Sequence, residues 1–326
     1  MSHRKNPGFR HSGFTLIEML VAIGILVVLA TLAVAVVPKV QERAKASRGG
    51  DQLHGWYLEA KQMSVRDRAL RGVRLLIDPN TMLATSALYI QQPDSLTGGQ
   101  CAVDTTNPAV LNHAVFQPFQ GQPALDVTGG QGGITALYPI QPGDYLQIQG
   151  GPAHLIQSVD VLNNGVFTVT PIWGTTTTTP QGTAPPGPTT NYTIIRIPRP
   201  IIGEPVLYFP DNVAVDFTTN TPTSMHSIPD WTAATITPTG LSFDILFTPS
   251  GTLTGSIGES FNKVILWVRD YTQDIDQPGE QPLIVIFSRT GRTGGFPVNT
   301  NQGLYPPGNP ALFPYYYVLD PRATGF

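Results

Sequence analysis

The sequence predicts an α+β protein in which one long N-terminal helix is followed by an antiparallel β-sheet head with a large loop-rich insertion. The apolar run from Phe14 to Val37, and the amphipathic stretch after it, predict the helix. Short β-branched and aromatic runs after Gly72, separated by Gly, Pro, Asn and Asp, predict the sheet. The 326 residues include 33 Gly and 31 Pro, which indicates many turns in a chain long enough to bury a core.

The composition excludes several classes of function. Charged residues make up 13% of the chain, about half of the ~25% that is typical of soluble domains, so an ordinary cytosolic enzyme is not expected. The net charge is −3 and the chain has no long run of Lys or Arg, so nucleic acid is not an expected partner. The single cysteine, Cys101, allows neither an internal disulfide nor a multi-cysteine zinc site.

The N-terminus has the pattern of a membrane anchor. Residues 1–13 contain Arg4, Lys5 and Arg10 and no acidic residue. The 24 residues that follow, 14–37, carry one charge, and as a helix they would extend ~36 Å, enough to cross a hydrocarbon core of ~30 Å. This run is longer than the ~7–15 apolar residues of a secretory signal and has no small-residue cleavage site at its end. The span is therefore expected to be retained. The positive-inside rule predicts that the basic leader before it is cytoplasmic.

Glu18 is the one charge in this apolar run. An ionisable side chain in a membrane span is costly unless it is paired, so by default it indicates function. The alternative is a carboxylate that lies at headgroup depth and has no further role.

The segment from Gly13 to Leu20, with the sequence GFTLIEML, resembles the class III signal of type IV pilins and type II secretion pseudopilins. The resemblance implies that prepilin peptidase cuts between Gly13 and Phe14, that Phe14 becomes N-methylated, and that Glu18 acts in assembly. It implies a single-pass protein of the inner membrane with a periplasmic head. The implied partners are prepilin peptidase, other pseudopilins or pilins, the inner-membrane assembly platform and the lipid bilayer, and no cofactor is expected.

The chemistry of a trimmed chain agrees with an assembly role for Glu18. Cleavage after Gly13 would create a cationic amine on Phe14. A carboxylate buried among apolar helices has its least costly partner in the amine of an adjacent subunit. Glu18 would then set the register in which the helices stack.

The second half of the predicted helix, residues 38–71, is amphipathic. Pro38 is expected to kink it, and Gly49-Gly50 are expected to weaken it, with Asp51 available as a new N-cap. An apolar stripe at three- and four-residue spacing predicts packing against the head, and its members are Leu53, Trp56, Ala60 and Met63.

The head is predicted at residues 72–290, with an insertion at 91–203 and a Pro-rich, aromatic tail at 291–326. Strands are predicted at 73–77, 87–90, 144–149, 154–161, 166–170, 192–197, 206–209, 213–217, 243–248, 263–269 and 283–288. Within the insertion, a Thr/Pro/Gly tract beginning at Thr175 is interpreted as an exposed loop. The tail either covers the sheet or presents a surface to a partner. The run from Gly72 to Leu75, the segment from Phe243 to Gly251, and the strand from Ile284 to Ser288 are similar to H-type minor pseudopilins and FimT-like pilins.

No catalytic motif is evident, so the chain is not expected to be an enzyme. An acidic loop offers weak candidates for calcium, namely Asp270, Asp274 and Asp276, but their spacing departs from the EF-hand pattern and a solvated loop is the simpler interpretation. The sequence thus predicts a minor pseudopilin-like structural subunit of a type II secretion pseudopilus. The alternatives are a type IV minor pilin that binds an external partner and a membrane-tethered binding module or hydrolase.

Overall fold

The computed structural model describes residues 16–103, 111–121, 123–127, 139–172, 189–217, 235–237, 240–254, 263–273, 282–298 and 318. The helix α1 spans Leu16–Asp67. The strands are β1 Leu70–Ile77, β2 Leu83–Gln92, β3 Gln100–Val103, β4 His113–Gln117, β5 Tyr145–Ile148, β6 Ala153–Asp160, β7 Gly165–Thr168, β8 Thr189–Thr190, β9 Tyr192–Ile195, β10 Arg199–Pro200, β11 Leu207–Tyr208, β12 Val213–Asp216, β13 Thr235–Thr237, β14 Gly240–Phe247, β15 Leu253–Thr254, β16 Lys263–Asp270, β17 Pro282–Phe287 and β18 Arg292–Pro297. The α+β class and the strands predicted from the sequence are confirmed.

The larger sheet forms the body of the head. Its strands follow the order β13-β14-β1-β2-β12-β16-β17-β18, with β10 and β11 paired to β2 and β15 paired to β14. All of these pairs are antiparallel. Because β18 lies in this sheet, the first residues of the predicted tail form a strand that their sequence pattern does not predict.

The C-terminal half of α1 packs across one face of this sheet. Its buried stripe recurs every three or four residues and consists of Ala46, Gly49, Gly50, Leu53, Tyr57, Ala60 and Ser64. Leu53 and Ala60 lie at its centre as predicted, while Trp56 and Met63 are half-buried at its margin. Ser64 donates a hydrogen bond of 2.5 Å from its hydroxyl to the carbonyl of Thr248, which fixes the end of the helix on the sheet.

The helix runs through Gly49 and Gly50 without a break, so the prediction of a weakened helix with Asp51 as a new N-cap is wrong. Both glycines lie against the sheet. A Cβ on Gly49 would come within 2.6 Å of Val213 Cγ1, and one on Gly50 would overlap the ring of Pro282. The two glycines therefore serve close approach of helix and sheet, which offsets their poor helix propensity.

We expect Gly50→Ala to lower the stability of the head by about 1–3 kcal/mol, because the rigid Pro282 ring cannot move away from the added methyl group. Gly55→Ala is the matched control. It lies on the exposed side of the same helix with nothing within 4 Å of its Cβ, so it should gain up to about 1 kcal/mol of helix propensity. Thermal unfolding of the detergent-solubilised chain measures both. A stabilised Gly50→Ala protein would contradict the close-packing interpretation.

The helix ends at Asp67, earlier than the predicted boundary at residue 71. The next residue, Arg68, has a left-handed backbone with φ of 51°, a conformation that commonly terminates helices. Arg71 and Arg74 therefore lie on β1. Arg74 forms a bidentate ion pair with Asp244 on the neighbouring strand β14, with both bonds at 2.6 Å.

The region of the predicted insertion contains a second sheet with its own core. Its strands follow the order β8-β3-β4-β7-β6-β5-β9. The two outermost strands, β8 and β9, are separated along the chain by Asn191 alone, so the sheet curls round until its edges nearly meet. It encloses an apolar core that includes Leu146, Ile156 and Ile194. Residues 173–188, with most of the Thr/Pro tract, lie outside the described residues.

The chain enters and leaves the second sheet at one place on the larger sheet. It departs after Gln92, the last residue of β2, and returns at Arg199, which pairs with Gln91 on that same strand. The return is held by a buried ion pair, because Arg199 Nη2 lies 2.5 Å from Asp144 Oδ2. Asp144 also accepts hydrogen bonds from the backbone N–H groups of Gln141 and Ile197. One carboxylate therefore joins the two sheets.

Candidate assembly site on the N-terminal helix

The described side chains in the N-terminal part of α1 are not buried against the head. Between Leu16 and Thr31 every described side chain is exposed, and the large apolar ones range from 51% exposed at Val21 to 84% at Leu16. This contrasts with the stripe from Ala46 to Ser64, where one helix face is buried. A soluble helix normally exposes polar residues, so an apolar surface of this length indicates contact with lipid or with other protein chains.

Glu18 lies in the first turn of the described helix and is exposed. It is the one charged residue between Leu16 and Thr31. The carboxylate thus stands at the N-terminal end of an otherwise apolar surface, where a partner can reach it.

Thr31 is the other polar side chain between Leu16 and Thr31. Thr31 donates a hydrogen bond of 2.8 Å from its hydroxyl to the carbonyl of Val28. This pairing removes the need for a water partner. Gly24 has nothing within 4 Å of its Cβ position, so its face is open to a close neighbour. Apart from Glu18, the described surface of residues 16–31 is therefore suited to apolar packing contacts.

The sequence also singled out Gly13, Phe14 and Pro38. Gly13 and Phe14 lie outside the described residues. Pro38 lies inside the single continuous helix, and the kink predicted there stays a prediction. Within the portions of the chain that the structure describes, no helix meets the length and hydropathy required of a membrane span.

The candidate calcium ligands are only partly located. Asp270 is 4% exposed at the end of β16, where its Oδ1 accepts hydrogen bonds from the backbone N–H of Thr272 at 3.0 Å and from its hydroxyl at 2.6 Å. Asp270 therefore closes a turn. Asp274 and Asp276 lie outside the described residues, and among those that are described no three acidic, His or Cys side chains form a metal cluster.

Comparison with known proteins bears on the segment that contains Glu18. Residues 8–34 match the family model of the prokaryotic N-terminal methylation motif. The match covers the predicted cleavage junction and most of the apolar run, so it supports a type IV pilin-like protein that prepilin peptidase processes and that associates with other pilins. Neither the curated proteins nor the solved structures contain a match to this chain.

Proposed function

We propose that the chain is a minor pseudopilin-like structural subunit of a type II secretion pseudopilus, with no catalytic role. In this proposal residues 14–37 insert in the inner membrane as a single pass, the leader is cytoplasmic, and the head is periplasmic. The observation that carries it is the exposed apolar surface from Leu16 to Thr31, which bears the single carboxylate of Glu18 and is continuous with a folded head. The methylation motif at residues 8–34 supports the same role.

In this proposal a subunit leaves the bilayer to enter a filament, and its helix passes from lipid to a place among neighbouring helices. Apolar side chains gain little on passing from lipid to neighbouring helices, since both surroundings are equally apolar. They therefore give the helix no preferred position among its neighbours. Glu18 differs, because a buried carboxylate is stable only beside an opposite charge. Pairing with the amine of an adjacent subunit would favour assembly and fix the position of each helix.

A second candidate is a type IV minor pilin that binds an external partner. It is favoured by an exposed apolar row on the second sheet, formed by Tyr145, Leu155 and Val169, which are 38%, 38% and 55% exposed. Tyr145 lies opposite Leu155, and the N–H of Val169 donates to the carbonyl of Leu155 at 2.8 Å, so the three are cross-strand neighbours. Such a row is typical of binding surfaces.

Deleting the gene distinguishes the two candidates. Loss of exported enzymes from the culture medium, with twitching motility intact, supports the secretion role. The reverse pattern supports the minor pilin. Neighbouring genes give an independent answer, because a secretion ATPase, an outer-membrane secretin and further pseudopilins belong with the first role and twitching components with the second.

Processing is a separate prediction. Mass spectrometry of the membrane-extracted protein should show a chain that begins at Phe14 and carries one added methyl group. Gly13→Leu should prevent cutting, because a bulky side chain replaces the small residue at the junction, while Gly13→Ala should still be cut. An intact Met1 terminus in a host that has prepilin peptidase would contradict this prediction.

A further inference from the structure

The face of the larger sheet opposite α1 is buried at the centre of β16 and β17. Side chains alternate along β16, so that Val264 and Leu266 point to the core beneath α1 while Ile265 and Trp267 point to the other side. Together with Leu283, Val285 and Val318, these last two form what we call the outer-face cluster. Its four sheet residues are each 0% exposed. A sheet face is removed from water to this degree only when something covers it.

Within the described residues, the buried member of this cluster that comes from beyond the sheet strands is Val318, while Phe296 and Val298 are partly buried against the cluster. Val318 is 5% exposed, although it lies twenty residues past Val298 in the sequence. Its backbone carbonyl accepts a hydrogen bond of 2.7 Å from Lys263 Nζ. An apolar side chain and a backbone carbonyl thus anchor the same residue to the sheet.

Lys263 is well placed to bind the backbone carbonyl of Val318. It is the first residue of β16, on the edge of the cluster, and it is half-buried. Burial lowers the pKa of its ammonium group, since the charge is partly removed from water. A carbonyl acceptor offsets part of that cost, so the Lys263 side chain and the Val318 backbone stabilise each other.

We propose that the outer-face cluster is a docking site for the C-terminal segment of this same chain, with Val318 filling the site and Lys263 holding its backbone. The site recognises an apolar side chain beside a carbonyl that can be aligned on an ammonium group. The proposal does not depend on the role in secretion, because it concerns only the head. It resolves the two interpretations of the tail in favour of covering the sheet.

The test is oxidative footprinting of the full chain, with Trp267 as the reporter. Val318→Lys is chosen because it puts a second ammonium group beside Lys263, which repels it. Val318→Asp is unsuitable because its carboxylate would form a salt bridge with Lys263. We expect Trp267 to be oxidised about tenfold faster in Val318→Lys than in the unsubstituted chain, because the uncovered state becomes populated. Val169→Lys is the matched control: this valine is 55% exposed on the second sheet, and its replacement should leave Trp267 protected.

A second arm tests recognition directly. A synthetic peptide of residues 313–323 should restore protection of Trp267 in the Val318→Lys chain and should not bind the unsubstituted chain, whose site is filled. Oxidation of Trp267 at equal rates in the two chains would overturn the proposal, and so would equal binding of the peptide to both. If Val318→Lys loses its β signal in circular dichroism, Lys263→Met takes its place. That variant should raise oxidation about twofold, and an unchanged rate would refute the docking site.

Discussion

Replacing Glu18 with Ala is expected to lower incorporation of the subunit into filaments by two to three decades, while membrane insertion and cleavage before Phe14 continue. If the carboxylate neutralises a neighbour's amine, its removal leaves that amine buried without a partner, at a cost of ~3–5 kcal/mol. Insertion should not suffer, because an apolar helix without a charge enters the bilayer more easily. Disulfide crosslinking between cysteines engineered on adjacent helices measures incorporation, and a secretion assay measures its consequence.

Two further variants separate charge from shape. Glu18→Gln keeps the size of the side chain and should fail like Glu18→Ala, because it cannot neutralise the amine. Met19→Ala changes the neighbouring residue, which is 58% exposed on the same helix, and should assemble nearly as the unsubstituted chain does. Normal crosslinking and secretion by Glu18→Ala would leave the carboxylate as a headgroup-level residue and would remove the main physical support for the proposed role.

The second large effect is expected at the carboxylate that joins the two sheets. Asp144→Asn should lower the free energy of unfolding by about 3–5 kcal/mol, because Arg199 would keep its buried charge with no opposite charge beside it. The amide nitrogen of Asn would also face a donor, either the guanidinium group or a backbone N–H group. Urea unfolding followed by circular dichroism measures the loss.

The matched control for Asp144→Asn is an exposed pair of the same type. Arg66 Nε lies 2.7 Å from Asp67 Oδ1, but the Arg66 side chain is 73% exposed. Solvent screens such a pair, so Arg66→Gln should leave the unfolding curve unchanged. An Asp144→Asn protein as stable as the Arg66→Gln protein would show that the junction does not depend on the buried charges.

Local features of the structure could be predicted from the sequence, because local patterns determine them. The apolar run gives the helix, alternating β-branched residues give the strands, and the segment around Glu18 gives the processing signal. Leu53 and Ala60 also fall on the buried helix face as their spacing indicates. In each case the information lies within one or two turns of helix or one strand.

Long-range contacts could not be predicted in this way. Propensity favours a helix break at Gly49-Gly50. The need for glycine is shown only by residues far along the chain, namely Val213 against Gly49 and the ring of Pro282 against Gly50. The core of the second sheet was also missed, since β3, β4 and β8 are too short for alternation to stand out. The pairing of Asp144 with Arg199 depends on both sheets being in place.

The way the second sheet is attached has a mechanical consequence. The chain leaves β2 after Gln92 and returns to the same strand at Arg199, beside Gln91. Both connections of the second sheet, called the module below, therefore lie at one end of the paired strands β2 and β10. Tension applied along α1 would pass into the larger sheet through β1 and the packed helix face without crossing the module. In the proposed filament, the second sheet could therefore be exchanged or enlarged without a change in the elements that carry this tension. Its surface could diversify while α1 and the larger sheet stay the same.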